Sequence, residues 1–292
     1  MSTQAGGYYL PEPSKWPLIG SIGLFLTLFG FATALPGKSE GTVGNLYIMY
    51  AGLIVLAYML FGWFGQVIGE SESGKYNDQV DVSFRMGMLW FIFSEVMFFA
   101  AFFGALFYVR QLSVPWLSGE GNNGMTNELL WKGYENVWPT NGPGAVGGKY
   151  ESMPAAGIPL YNTIILLTSG VTVTLAHWAL KKENRSQLIL WLFATVALGG
   201  LFVALQAYEY SHAYSAMNLK LSTGIYGSTF YMLTGFHGLH VTIGAIMLTV
   251  MLLRSIKGHF TPKHHFAFEA AAWYWHFVDV VWLGLFIFVY WL

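Results

Sequence analysis

LSTGIYGSTFYMLTGFHGLHVTIGAIMLTVMLL, Leu221 to Leu253, runs 33 residues without an Asp, Glu, Lys or Arg. At about 1.5 Å per residue, a helix of that length outreaches the ~30 Å of hydrocarbon in a bilayer. Four further uncharged runs are long enough to cross: Trp16 to Gly37, Gly41 to Gly69, Ser152 to Leu180 and Ser186 to Tyr208. Two more are apolar with one acid each, Met86 to Val109 with Glu95 and Ala270 to Leu292 with Asp279. The reading is therefore an all-α integral membrane protein of seven transmembrane helices. The composition agrees, because 10% charged residues is far below the ~25% of a soluble domain.

The same numbers exclude several functions. A net charge of -1 offers no basic face for nucleic acid. With no cysteine in the chain, disulfides, iron-sulfur clusters and thiolate metal sites are ruled out. A redox centre in this chain would have to rest on its eight histidines. Ala32-Thr33-Ala34 imitates a signal cleavage site, but the apolar stretch before it is too long for a signal h-region, so the first span is retained.

Lys and Arg set the orientation. Lys15, Lys75, Arg85, Lys181, Lys182, Arg185, Arg254, Lys257 and Lys263 fall on the N-terminal side, against Lys38 and Lys220 on the other once the long segment after the third span is set aside. This predicts the N-terminus inside and the C-terminus outside. The organisation read from composition is an N-terminal segment with two helices (1–69), a polar inner linker (70–85) and a five-helix bundle (86–292). The bundle carries an external Gly/Pro-rich loop at 110–159, punctuated by Asn122-Asn123-Gly124 and Asn141-Gly142-Pro143. Gly65 and Gly69, and Ala100, Ala101, Gly104 and Ala105, form small-residue faces that predict close helix packing.

Polar residues inside the spans are the candidates for function. Glu95 lies nine positions into the third span, where it is expected to be protonated, hydrogen-bonded inside the bundle or exposed to a polar cleft. It reads equally as a proton-handling group and as a tie between helices. His237 and His240 stand at i and i+3 on one helical face, and interhelical hydrogen bonding outweighs a metal or haem role. His177 and His276 lie at other depths and make no matched haem pair with them. His276 and Asp279, again i and i+3, read first as a structural acid–imidazole pair and second as part of a proton relay. Arg254, Lys257, His259, Lys263, His264 and His265 follow the sixth span directly, where basic residues set topology and attract anionic headgroups, each worth about 1 kcal/mol.

Taken together, Phe84-Arg85-Met86-Gly87-Met88 through Ser94-Glu95-Val96, Tyr226-Gly227-Ser228-Thr229-Phe230, Thr234-Gly235-Phe236-His237-Gly238-Leu239-His240-Val241, His264-His265-Phe266 and Trp273 through Trp282 closely resemble subunit 3 of the haem-copper cytochrome c oxidases. The resemblance runs over nearly the whole chain. It implies a non-redox accessory subunit of a proton-pumping oxidase that oxidises cytochrome c and reduces oxygen to water. The chain itself would bind no metal, with haem and copper in the partner subunits 1 and 2. It implies helices grouped two plus five around a V-shaped cleft that holds structural phospholipids. By position, Trp63, Phe64, Glu70, Arg254, Lys257 and His259 would line lipid sites and Glu95 would face the cleft. Glu95, His237, His240, His276 and Asp279 are the buried polar or proton-related set. The length of the 110–159 loop points to a bacterial plasma membrane. The rival reading is a free-standing seven-helix ion or proton transporter using Glu95 and Asp279. A membrane cytochrome using His237 and His240 is weaker.

Overall fold

The computed structural model describes residue 9 and residues 12–35 and 43–292, with side chains from 46 onward in the second helix. The elements are α1 (Trp16–Ala34), α2 (Val43–Glu72), α3 (Asp78–Tyr108), a π-helical turn (Val109–Ser113), α4 (Val114–Leu117), α5 (Gly124–Leu130), α6 (Ile158–Lys181), α7 (Arg185–Ser215), α8 (Gly224–Lys257), α9 (Phe266–Leu285) and a second π-helical turn (Phe286–Trp291). Among the described residues there is no strand, and seven helices are long and apolar enough to cross a membrane. These correspond to the seven spans expected.

Helix ends lie where the side chains can satisfy them. Asp78 and Asp81 occupy the first turn of α3, where the positive end of the helix dipole favours acids. The Asn77 side chain accepts from Val80 N at 3.0 Å, as Asn184 does from Gln187 N at 3.2 Å at the start of α7. Gly258, in the left-handed region at φ 81°, ends α8. Helix therefore continues well into the polar stretch expected as a 70–85 linker, leaving only 73–77 between α2 and α3. Such charged ends extend the helices beyond the hydrocarbon, and hydropathy alone does not register them.

Two compact units divide the chain, one ending at Phe84 and the other beginning at Arg85. In the first, α1 and α2 approach closely through glycine: a Cβ on Gly23 would stand 2.9 Å from the Leu56 side chain. Trp16 Nε1 donates to Gln66 Oε1 at 2.8 Å, and Trp63 and Phe64 stack with ring centres 5.4 Å apart. Nothing in the first unit lies within 4 Å of a Cβ on Gly65 or Gly69, so this face, expected to pack, is unused there.

In the second unit the core is built on α6 to α9. Trp275 of α9 is fully buried. Its indole runs between Gly199 of α7 and Gly244 of α8, where added Cβ atoms would fall 2.7 and 2.8 Å from the ring. Its Nε1 donates to Ser169 Oγ of α6 at 2.8 Å, so four helices converge on one side chain. Trp282, two turns further, is likewise buried and donates to Thr163 Oγ1 at 2.9 Å. Buried indole N–H groups need such partners. Ala100, Ala101, Gly104 and Ala105 of α3 are exposed rather than packed.

The segment 110–159 is held by side-chain amides. Asn127 Nδ2 donates to the carbonyls of Leu117, Trp131 and Tyr134, and Asn218 Nδ2 to those of Gly147 and Lys149. Tyr150 stacks on Tyr226, and burial pushes its phenol up to about 12.

Candidate functional site

Glu95 on α3 and His240 on α8 meet across the helix interface. His240 Nε2 lies 2.8 Å from Glu95 Oε2, and His240 Nδ1 lies 2.6 Å from the Phe236 carbonyl. A carbonyl only accepts, so Nδ1 carries a proton. Nε2 facing a carboxylate with no proton between them would set a lone pair against a charge. A proton therefore lies between Nε2 and the carboxylate oxygen, and the hydrogen bond joins the two helices whichever atom holds it. Glu95 and His240 keep 21% and 11% side-chain exposure, and Phe98 and Phe99 pack on the imidazole.

His237, one turn earlier on the same face of α8 and fully buried, donates Nε2–H to the Val278 carbonyl of α9 at 3.1 Å. Both histidines singled out in the sequence thus make interhelical hydrogen bonds. Asp279 is buried, with Oδ2 at 3.6 Å from His276 Nδ1, while His276 is 46% exposed and its Nε2 lies 3.2 Å from Thr174 Oγ1 of α6. Gly170 makes room for this carboxylate, since a Cβ there would overlap Asp279 Oδ2.

A buried acid escaped the sequence reading. Glu209 of α7 is 1% exposed; its Oε1 accepts from Tyr290 OH at 2.7 Å and Gln206 Nε2 at 3.2 Å. The uncharged run ends one residue earlier, at Tyr208, so Glu209 falls just outside the span as read from the sequence. The signal was available: Gly199, Phe202, Gln206, Glu209 and Ala213 all fall at helical spacing on the buried face of α7.

At the end of the second unit where α6 and α8 stop and α7 and α9 begin, charges are paired. Arg85 Nη1 donates to Glu269 Oε2 at 2.6 Å, and Arg185 Nε donates to the Ser255 carbonyl at 3.1 Å, covering the end of α8. Arg254 is buried with its guanidinium 4.6 Å from the Phe260 ring centre, while Lys257 is exposed and His259 half-buried. His265, buried just before α9, is pushed below the usual imidazole range by loss of solvent, against the pull of Glu269. In the first unit, Glu70 accepts from Gln66 Nε2 and Tyr76 OH, each at 2.9 Å. Burial and this carboxylate both raise the Tyr76 phenol.

Seven helices long and apolar enough to cross a membrane, with an acid–imidazole pair joining α3 to α8 rather than an open cleft of nucleophiles, define a polytopic membrane protein whose polar interior ties helices together. The sequence model of cytochrome c oxidase subunit III matches residues 6–120 and 135–292. Relatives named cytochrome c oxidase subunit 3 align over all 292 residues and 99% of their own length, at 41% identity in Struthio camelus, 42% in Squalus acanthias and 41% in Pongo abelii. The chain belongs to the cytochrome c oxidase subunit III family. It is thus an accessory subunit of an oxidoreductase complex that assembles with other oxidase subunits in a membrane, which sets aside the free-standing transporter. Residues 121–134, most of them in α5 and its flanks, fall outside the family match.

Proposed function

We propose that this chain is the non-redox subunit of a proton-pumping cytochrome c oxidase in a bacterial plasma membrane. It stabilises the catalytic subunit 1, contacts subunit 2, and binds phospholipid without carrying haem or copper itself. Cytochrome c delivers electrons to the complex. The observation that carries the reading is the family match over residues 6–120 and 135–292, which takes in Glu95, His240, His276 and Asp279.

Support for proton uptake rests on the titratable groups at helix ends within each unit, Glu70, Glu72, Asp78 and Asp81 in the first and His259, His264 and His265 in the second. Titratable groups on a surface exchange protons locally and raise the proton supply to a neighbouring entrance. Lys257, His259 and Arg254, and in the first unit Trp63, Phe64 and Glu70, are the candidate lipid contacts, the basic groups for phosphate and the exposed rings for acyl chains.

The test compares the oxidase with and without this chain, at mildly acid and at alkaline pH, by stopped flow and oxygen electrode. Haem spectra and initial electron transfer should be unchanged. Proton uptake at alkaline pH should slow, and activity should decay during turnover. Equal uptake rates and equal turnover lifetimes at both pH values would reduce the chain to a role in assembly.

A further inference from the structure

We propose that His177, His265 and Glu269 form a binding site for a divalent cation of the zinc class, at the end of the second unit where α6 stops and α9 begins. One ring nitrogen of each histidine and one carboxylate oxygen all lie within 4.8 Å of one another. The histidine rings stand 5.3 Å apart between centres, and His265 Nε2 is 3.9 Å from Glu269 Oε2.

One buried atom points to a missing ligand. His177 Nε2 is shielded from solvent and has no hydrogen-bond partner, and on His265 it is Nε2 that approaches Glu269. A buried ring nitrogen without a partner is costly, and a cation shared with the neighbouring imidazole and carboxylate would remove that cost. With zinc bonds of about 2.0–2.2 Å, tetrahedral ligands sit roughly 3.3–3.6 Å apart. The widest separation in the cluster, 4.8 Å, has to shorten by little more than 1 Å to reach that spacing. Two imidazoles and one carboxylate select zinc-class ions over magnesium or calcium, which take oxygen ligands. Three protein ligands leave a fourth position for water.

The surroundings limit the affinity without abolishing the site. Arg85 hydrogen-bonds Glu269 Oε2 at 2.6 Å, the kind of outer contact that orients a ligating carboxylate. Arg85 and Lys181 also set positive charge near the imidazoles, which opposes a cation and makes the site reversible rather than permanently filled. His177 and Glu269 are half-buried, so an ion can enter. Bound there, it would clamp the end of α6 to the start of α9. The argument is independent of the proposed proton role, because the readout is metal binding itself.

The experiment is equilibrium dialysis of the intact, chelator-washed oxidase against radioactive zinc. Wild type is compared with His177→Asn, His265→Asn and Glu269→Gln, and with His264→Asn as an exposed neighbour outside the cluster. Wild type and His264→Asn should bind one zinc more per complex than each cluster variant, or bind it at least tenfold more tightly. Equal zinc binding by all four variants and wild type would overturn the proposal. Should the cluster variants fail to assemble, diethyl pyrocarbonate modification of wild type, read by peptide mass spectrometry, decides the matter. Zinc should slow modification of His177 at least tenfold while leaving His264 unprotected. No protection of His177 would refute the site.

Discussion

Gly199 and Gly200 are neighbours on α7 with opposite surroundings, and they make a controlled test of the packing on which the second unit rests. A Cβ at Gly199 would stand 2.7 Å from the Trp275 ring, whereas nothing lies within 4 Å of one at Gly200. Ordinary carbon contacts are about 3.5–4.0 Å, so Gly199→Ala demands that the indole retreat by close to 1 Å. Its retreat is restricted, because Gly244 of α8 already meets the ring at a neighbouring edge, a Cβ there falling 2.8 Å away, and the Nε1–Ser169 hydrogen bond holds the indole N–H. Overpacking of this kind costs about 1–3 kcal/mol, or roughly a five- to 150-fold shift toward the unfolded form. Gly200→Ala carries no such penalty and gains up to about 1 kcal/mol of helix propensity. The assay is SDS titration of the chain in bicelles, followed by tryptophan fluorescence, with wild type and the two variants side by side. Equal stability of the two variants, or a more stable Gly199→Ala, would refute the convergence of four helices on Trp275.

Other consequences can be measured in the same way. Glu95→Leu and His240→Leu should be coupled by about 0.6–1.7 kcal/mol in a double-mutant cycle, the range for interhelical hydrogen bonds in membranes. Additivity within about 0.3 kcal/mol would mean the contact contributes nothing. Because burial holds His265 below the usual imidazole range, the unfolded chain binds its proton first as pH falls through about 6.5. Stability contributed by the neutral imidazole is thus present above that pH and lost below the depressed native value. Melting curves of wild type and His265→Phe should diverge in pH slope there, and identical slopes would contradict the assignment. Replacing the exposed Lys257 with Ala should lower the phospholipid that survives purification while leaving the chain folded; unchanged lipid content would reduce this residue to topology control.

The seven crossings were legible because apolar length is a property of single runs, and the helix ends were misjudged where charged first turns such as Asp78 and Asp81 extend them. Glu95, His237, His240 and Asp279 stood out because a polar group within an apolar run is conspicuous. Their partners did not, since nothing in the spacing says that a residue 145 positions away closes on Glu95. Separation along the chain likewise hid the cluster of His177 with His265 and Glu269: His177 stood out only as a histidine at another depth, and His265 as part of a basic stretch. Glu209 was lost to a boundary drawn at the last uncharged residue. The small faces at Gly65 and Ala100 were read as internal packing, but small residues suit any close neighbour, inside the chain or in another subunit.

Purification through an affinity tag on this chain, followed by its selective release from whatever comes with it, tests the central claim most directly. The account predicts that the tagged chain brings down subunits showing a haem Soret band and oxygen-reducing activity. After release the band stays with those subunits, and the chain alone shows neither haem absorption nor stoichiometric copper. A haem that remains on the released chain, or a tagged chain that emerges with no haem-bearing partner, would contradict it.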